Sequence, residues 1–368
     1  MAQRQLQLSD LIPGQPLPWD VYGADQARGP VLHKGQLLGD SGQLSALLDA
    51  GLYADDAPPS VLHLLNDANW RLERLLLDLR NESNAERELR AIAADVVNAA
   101  LLNADIALAC IFLNQIAGTY AVRHCIETAL VAVLVARGMG KSGEETLTIT
   151  AAALTMNVGM LRHNNSFQDK RTALTREEMD IVRRHPAESA DLLKCVGIDD
   201  EEWLSCVILH HENDDGSGYP DGKTSAEITQ NAKLIGLADR YCAQVSARNY
   251  RRSILPDLAL CNLFQDAAHP IDAALAEQFI LQLGKYPPGS LVRLQNGEIG
   301  VVTGRHDGAA EVHALSDAAG LAIPAAALPF AALRSTSDAQ YAIAEALHED
   351  QAGVRFSMKN IWGEQARL

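Results

Sequence analysis

From Val61 to about residue 285 the apolar residues return every three or four positions, and from residue 286 they begin to alternate. A helical repeat held that long dictates a body of packed helices, and the later alternation adds strands. The expected fold class is therefore mainly α. Leu64, Leu65, Leu72, Leu75 and Leu76 form one stripe of the first helix. Further helices are expected over 121–137, 145–157, 175–185, 187–195, 200–211, 226–247 and 271–284. Thr175 and Glu178 form a capping box, and Pro186 should end that helix at His185. Asn296-Gly297, within "GSLVRLQNGEIGVVTG", predicts a type I′ hairpin. A short amphipathic helix is expected over Asp338–His348.

The first 57 residues read differently. Short apolar pieces broken by Gly, Pro and Asp predict a small β-rich module with a short helix around Gln43–Ala50. Residues 58–115 then form a helical connector, which can pack between domains or serve a homodimer. Residues 116–285 form the helical domain, and 286–368 the β-hairpin region and tail. Aromatics are only 5% of the 368 residues, which suits an Ala- and Leu-rich helical core. A net charge of -16 argues against DNA and against an anionic membrane surface, which both need a broad basic face. It leaves room for a local phosphate site. The six cysteines include no CxxC pair, so zinc-ribbon and thioredoxin readings fail. Scattered thiols suit a reducing cytoplasm. No signal-like core and no run of about eighteen apolar residues is visible, so a cytoplasmic chain without membrane insertion is expected.

The chemistry gathers in the helical block. His210 and His211 close the apolar run "WLSCVILHH" and precede "ENDDGSGYPDG", where Gly216 and Gly218 permit a sharp turn. Adjacent histidines at a helix end point about 100° apart and bracket a polar pocket. His124 sits amid Ala, Val, Ile and Leu, a setting where a histidine is more often a packed core residue than a ligand. His185 precedes Pro186, and a helix end there would favour a cation. Asp239 lies inside an apolar run, so its carboxylate needs a partner. Four histidines and one carboxylate, on or at the ends of separate helices apart from the adjacent pair, are usual ligands for Fe, Mn or Zn.

"HHENDDGSGYP" resembles the HD-GYP motif without a mismatch. "LTREEMDIVRRHPAESADLL" and "LIGLADRYCAQVSARNYRRS" resemble two further segments of that family. The resemblance covers about residues 116–285. It implies a helical domain of the HD superfamily that hydrolyses cyclic di-GMP at a centre of two or three metals, in bacterial signalling, with diguanylate cyclases (GGDEF proteins) among its partners. It further implies metal ligands at His124, His185, His210, His211 and Asp239. Cyclic di-GMP would meet Gly218, Tyr219, Pro220, Arg248 and Arg251.

One segment departs from that pattern. "AAALTMNVGM" aligns with the family's "aaLLHDiGK", so Met156, Asn157 and Met160 stand where His, Asp and Lys belong, and Tyr120 stands where a glutamate ligand belongs. Asn157 cannot bridge two cations, and the Met156 thioether is a poor partner for hard ions. The expectation is at most one metal ion, on His185, His210 and His211, or none. Cyclic di-GMP binding or docking to a partner then replaces hydrolysis. The alternatives are hydrolysis at a reduced metal centre and a structural or dimerisation scaffold.

Overall fold

The computed structural model describes residues 3–5, 20–23, 30–33, 52–55, 59–168, 170, 172–247, 252–265 and 271–368. Packing divides the chain into Met1–Pro59 and Ser60–Leu368. The first unit carries four short antiparallel strands: β1 (Gln3–Gln5), β2 (Val21–Tyr22), β3 (Pro30–Leu32) and β4 (Tyr53–Asp55), in the order β1-β4-β2-β3. The helix expected at Gln43–Ala50 lies outside the described residues.

The second unit opens with α1 (Val61–Leu77), α2 (Ala85–Leu102) and α3 (Ala104–Phe112). Ser60 caps α1 by accepting from the His63 N–H at 3.3 Å. Leu65, Leu72, Leu75 and Leu76 of the predicted stripe are buried, while Leu64 is half-buried. These helices share one core with α4 (Tyr120–Gly138), which is buried along most of its length. Against α4 lie α5 (Gly143–Thr155), the short α6 (Leu161–Gln168) and α9 (Gln230–Val245), while α8 (Glu201–Leu209) packs on α5 and α9 and the longer α7 (Arg176–Cys195) packs on α8. Capping boxes start α5 at Ser142 and α7 at Thr175. The Trp203 indole donates to Thr155 Oγ1 at 2.8 Å and fastens α8 to α5. The helical part closes with α10 (Pro256–Phe264) and α11 (Ala273–Leu283).

Three local expectations need correction. First, α7 does not stop at His185; it runs through Pro186 to Cys195. Packing of its buried face outweighs one missing backbone hydrogen bond. Second, the hairpin region is a five-stranded antiparallel sheet, β5 (Leu291–Leu294), β6 (Ile299–His306), β7 (Ala309–Ala314), β8 (Leu333–Ser335) and β9 (Ile343–Leu347), in the order β8-β7-β6-β5-β9. The helix expected at Asp338–His348 is a 3-10 turn (Ala339–Tyr341) followed by β9, because pairing with the open edge of β5 overrides the helical preference of Ala and Glu. Third, only Gly297 of Asn296-Gly297 has a positive φ, 93°. The Gly297 N–H donates back to the Leu294 carbonyl, as in a turn followed by a left-handed glycine. Two left-handed residues, the type I′ requirement, occur instead at Asp307 (φ 50°) and Gly308 (φ 81°), between β6 and β7.

Candidate metal centre

The site begins with a proline. Pro186 has no N–H to give the carbonyl four residues back, at Val182. That acceptor instead receives the His185 ring, Nδ1 to O at 2.6 Å. A similar arrangement orients His210. It follows the last turn of α8, where carbonyls lack helical partners, and its Nδ1 lies 2.7 Å from the Val207 carbonyl. A carbonyl only accepts, so both rings carry hydrogen on Nδ1 and present a bare Nε2 when neutral. The two Nε2 atoms lie 3.3 Å apart. With His211 they form a cluster whose ligand atoms all lie within 4.8 Å of one another. Fixing Nδ1 to a carbonyl is how metal-bound histidines are commonly oriented.

Burial reinforces this state. It pushes His185 down to about 3, with the neighbouring His210 adding to the effect. Burial also lowers His210 and holds His211 well below the usual histidine range, where His210 again adds. Neutral imidazoles with converging lone pairs fit one divalent ion with open positions.

His124 and Asp239 pair with each other, Nε2 to Oδ1 at 2.7 Å, across α4 and α9. Burial alone would raise Asp239, but the His124 hydrogen bond and charge, with His211 and His210, outweigh it and hold the carboxyl below its usual range. Tyr120, one turn before His124, stacks on that ring at 5.5 Å. Gly236 lets α9 approach: a Cβ there would stand 2.2 Å from the His210 carbonyl oxygen. Asp239 therefore shares a cleft of about 600 Å³ with His210, His211 and Tyr219.

The Met156–Met160 turn lies beside the cluster. Met156 and Asn157 are buried, and Met160 is half-buried. The Asn157 Oδ1 has no hydrogen-bond partner, and its amide meets Cys125 on α4. Ser189, one turn past His185 on α7, donates to the Met156 carbonyl at 2.9 Å and accepts from the Gly159 N–H at 2.9 Å. The turn is thus fastened to the helix that carries His185. Sequence reasoning missed Ser189, because its partners lie about thirty residues away.

It also gave no role to Glu212, whose carboxylate accepts from the N–H groups of Asp221, Gly222 and Lys223 at 2.8, 3.1 and 2.9 Å. This clamp holds the loop that presents Tyr219, whose ring lies 4.7 Å from His211. Gly218 has no room for a side chain, since a Cβ would lie 2.4 Å from the Asn213 nitrogen. Pro220 follows in the same loop and is half-buried. Arg184 is exposed and pairs with Glu188 at 3.3 Å. Arg248 and Arg251 lie outside the described residues.

Residues 102–275 match the HD domain family. The cyclic di-GMP phosphodiesterase PdeB of Borreliella burgdorferi is 27% identical over 185 residues, 50% of this chain and 48% of that protein. The cyclic di-GMP phosphodiesterase response regulator RpfG of Xanthomonas campestris is 34% identical over 145 residues, 39% of this chain and 38% of that protein. The chain thus spans about half or less of the length of these relatives. The solved structure of Bd1817, an HD-GYP-type protein from Bdellovibrio bacteriovorus, shares the fold with a TM-score of 0.50 at 13% identity, covering 76% of this chain and 98% of that one. By its helical fold, its histidine cluster and these matches, residues 102–275 form an HD domain, similar in sequence to the matched parts of these cyclic di-GMP phosphodiesterases.

Proposed function

We propose that this chain acts in cyclic di-GMP signalling by binding the dinucleotide without hydrolysing it, at a site that holds at most one metal ion. The observation that carries this reading is the make-up of the pocket. His185, His210 and His211 converge, but no carboxylate joins their cluster among the described residues. The adjoining turn offers the Met156 thioether and the neutral Asn157 amide. Two cations held close together need an anionic bridge between them, and Asp239 is already hydrogen-bonded to His124.

Fe, Mn or Zn on the three histidines would supply Lewis acidity toward a phosphate oxygen. The chain's own residues bind and orient. Tyr219 offers a face for a guanine, beside a cleft of about 600 Å³, a size typical of small-ligand sites. Arg248 and Arg251 are assigned to the phosphates as local cations on an acidic chain. A diguanylate cyclase is the partner this reading favours, and a homodimer is compatible with it.

Calorimetry with cyclic di-GMP, run beside a hydrolysis assay in Mn, Fe and Zn, tests the proposal. Binding without turnover is expected. Turnover that follows added Mn or Fe favours the second reading, hydrolysis at a reduced centre, which the open positions on the three-histidine cluster support. Absence of both nucleotide and metal binding favours a scaffold.

A further inference from the structure

A second cavity, of about 450 Å³, lies between the helices and the C-terminal sheet and shares no lining residue with the histidine cleft. The two layers touch where Gly289 meets α3; a Cβ on Gly289 would stand 2.7 Å from the Ala109 Cα. The cavity opens to solvent, and its volume falls in the range of small-molecule sites. Its walls include the apolar side chains of Phe112, Val245, Phe356 and Met358.

The lining holds a buried polar group without a partner and an exposed cation without an ion pair among the described residues. Ser290 is only 4% exposed, and its Oγ has no hydrogen-bond partner. A buried hydroxyl left so is less stable than a bonded one. Arg355, at the rim, forms no ion pair among the described residues. Glu349 stands in the same lining, and nearby Arg252 is already paired with Asp350. The local charges therefore nearly balance. Arg355 matches one negative charge, and Glu349 disfavours each further one.

We infer that this cavity binds a small organic monoanion with an apolar body, an aromatic or medium-chain carboxylate, with its charge on Arg355, an oxygen accepting from the Ser290 hydroxyl, and its apolar part against the inner walls. Val245 belongs to the last turn of α9, the helix that carries Asp239. The occupant therefore rests against an element of the metal centre without entering it.

The fluorescent aromatic monoanion 8-anilinonaphthalene-1-sulfonate serves as the probe, titrated into the full chain. The expected result is saturable binding of one molecule, displaced by decanoate and not by orthophosphate. Arg355→Ala should weaken it about tenfold or more, the loss of one charge-assisted contact. Ser290→Leu, which fills the cavity, should abolish it, with folding checked by circular dichroism. Because Ser290 is buried, the rim variant Arg355→Ala is decisive. His210→Ala should leave binding unchanged, which separates this site from the metal centre. Binding unaffected by Arg355→Ala, displaced by orthophosphate, or lost on Phe330→Ala at an exposed apolar position, would overturn the inference.

Discussion

His185 and His210 face each other with Nε2 atoms 3.3 Å apart, and each ring is pinned from behind by a helix carbonyl. Two bare lone pairs at that distance repel unless a cation or proton stands between them. The protein has therefore oriented a ligand pair before any ion arrives, which lowers the ordering penalty of binding.

The first prediction concerns stoichiometry. After equilibration with Mn, Fe or Zn and dialysis, elemental analysis should find no more than one ion per chain. Where an ion is retained, His185→Ala or His210→Ala should weaken it more than about 100-fold, beyond what loss of a supporting contact produces. His124→Ala should leave that ion in place. Two ions per chain in the unaltered protein would contradict this account.

The second prediction isolates Pro186. Pro186→Ala restores an N–H that competes for the Val182 carbonyl, now used by His185 Nδ1. Helix stability should rise, by up to about 3 kcal/mol, the usual penalty of an interior proline. Metal affinity should fall by about 10–100-fold as the ring loses its support. Thermal melting and metal titration on one sample separate the two. A parallel gain or loss in both would mean that the proline does not orient the ring.

Much of this architecture was legible because it is local. Thr175 and Glu178 cap a helix three residues apart, and His210-His211 sit together in a long motif. The helical body followed from one repeat period. What was not legible depended on distant partners. β9 exists because β5 has an open edge, which nothing in "YAIAEALHED" reveals. The continuation of α7 past Pro186 depends on what its buried face meets, and the Ser189 clamp on a turn that the chain made earlier. The contact between Asp239 and His124 links positions 115 residues apart; sequence reasoning required a partner for Asp239 without saying which.

The third prediction follows from the buried histidines. Folding lowers all three, His185 to about 3, against about 6.5 for an unfolded histidine. The unfolded chain then takes up protons before the folded one as pH falls. Stability is therefore full above about pH 6.5 and declines through the window from there toward pH 3. Each histidine contributes a slope of up to about 1.4 kcal/mol per pH unit. In metal-free buffer the melting temperature should drop steeply from pH 7 to pH 5, and His185→Gln should flatten that decline. A flat profile would mean that these rings are protonated in the fold.

The fourth prediction tests the proposed absence of an anionic bridge. Asn157 is 3% exposed, and its Oδ1 lacks a hydrogen-bond partner. Asn157→Asp places a carboxylate in that space without a cation to meet it. In metal-free buffer it should destabilise the fold by about 1–3 kcal/mol, the range for an uncompensated buried polar group. Saturating Mn should restore the loss, because an ion that binds only the folded state stabilises it by mass action. Adding Met156→His and Met160→Lys should then raise metal content toward two ions per chain. The thioether, now fully buried, occupies the volume that the new imidazole would take. If Asn157→Asp neither destabilises the metal-free protein nor makes its melting temperature respond to Mn, the Asn157 position does not face the ions. The departure at Met156-Asn157 would then not account for a loss of hydrolysis.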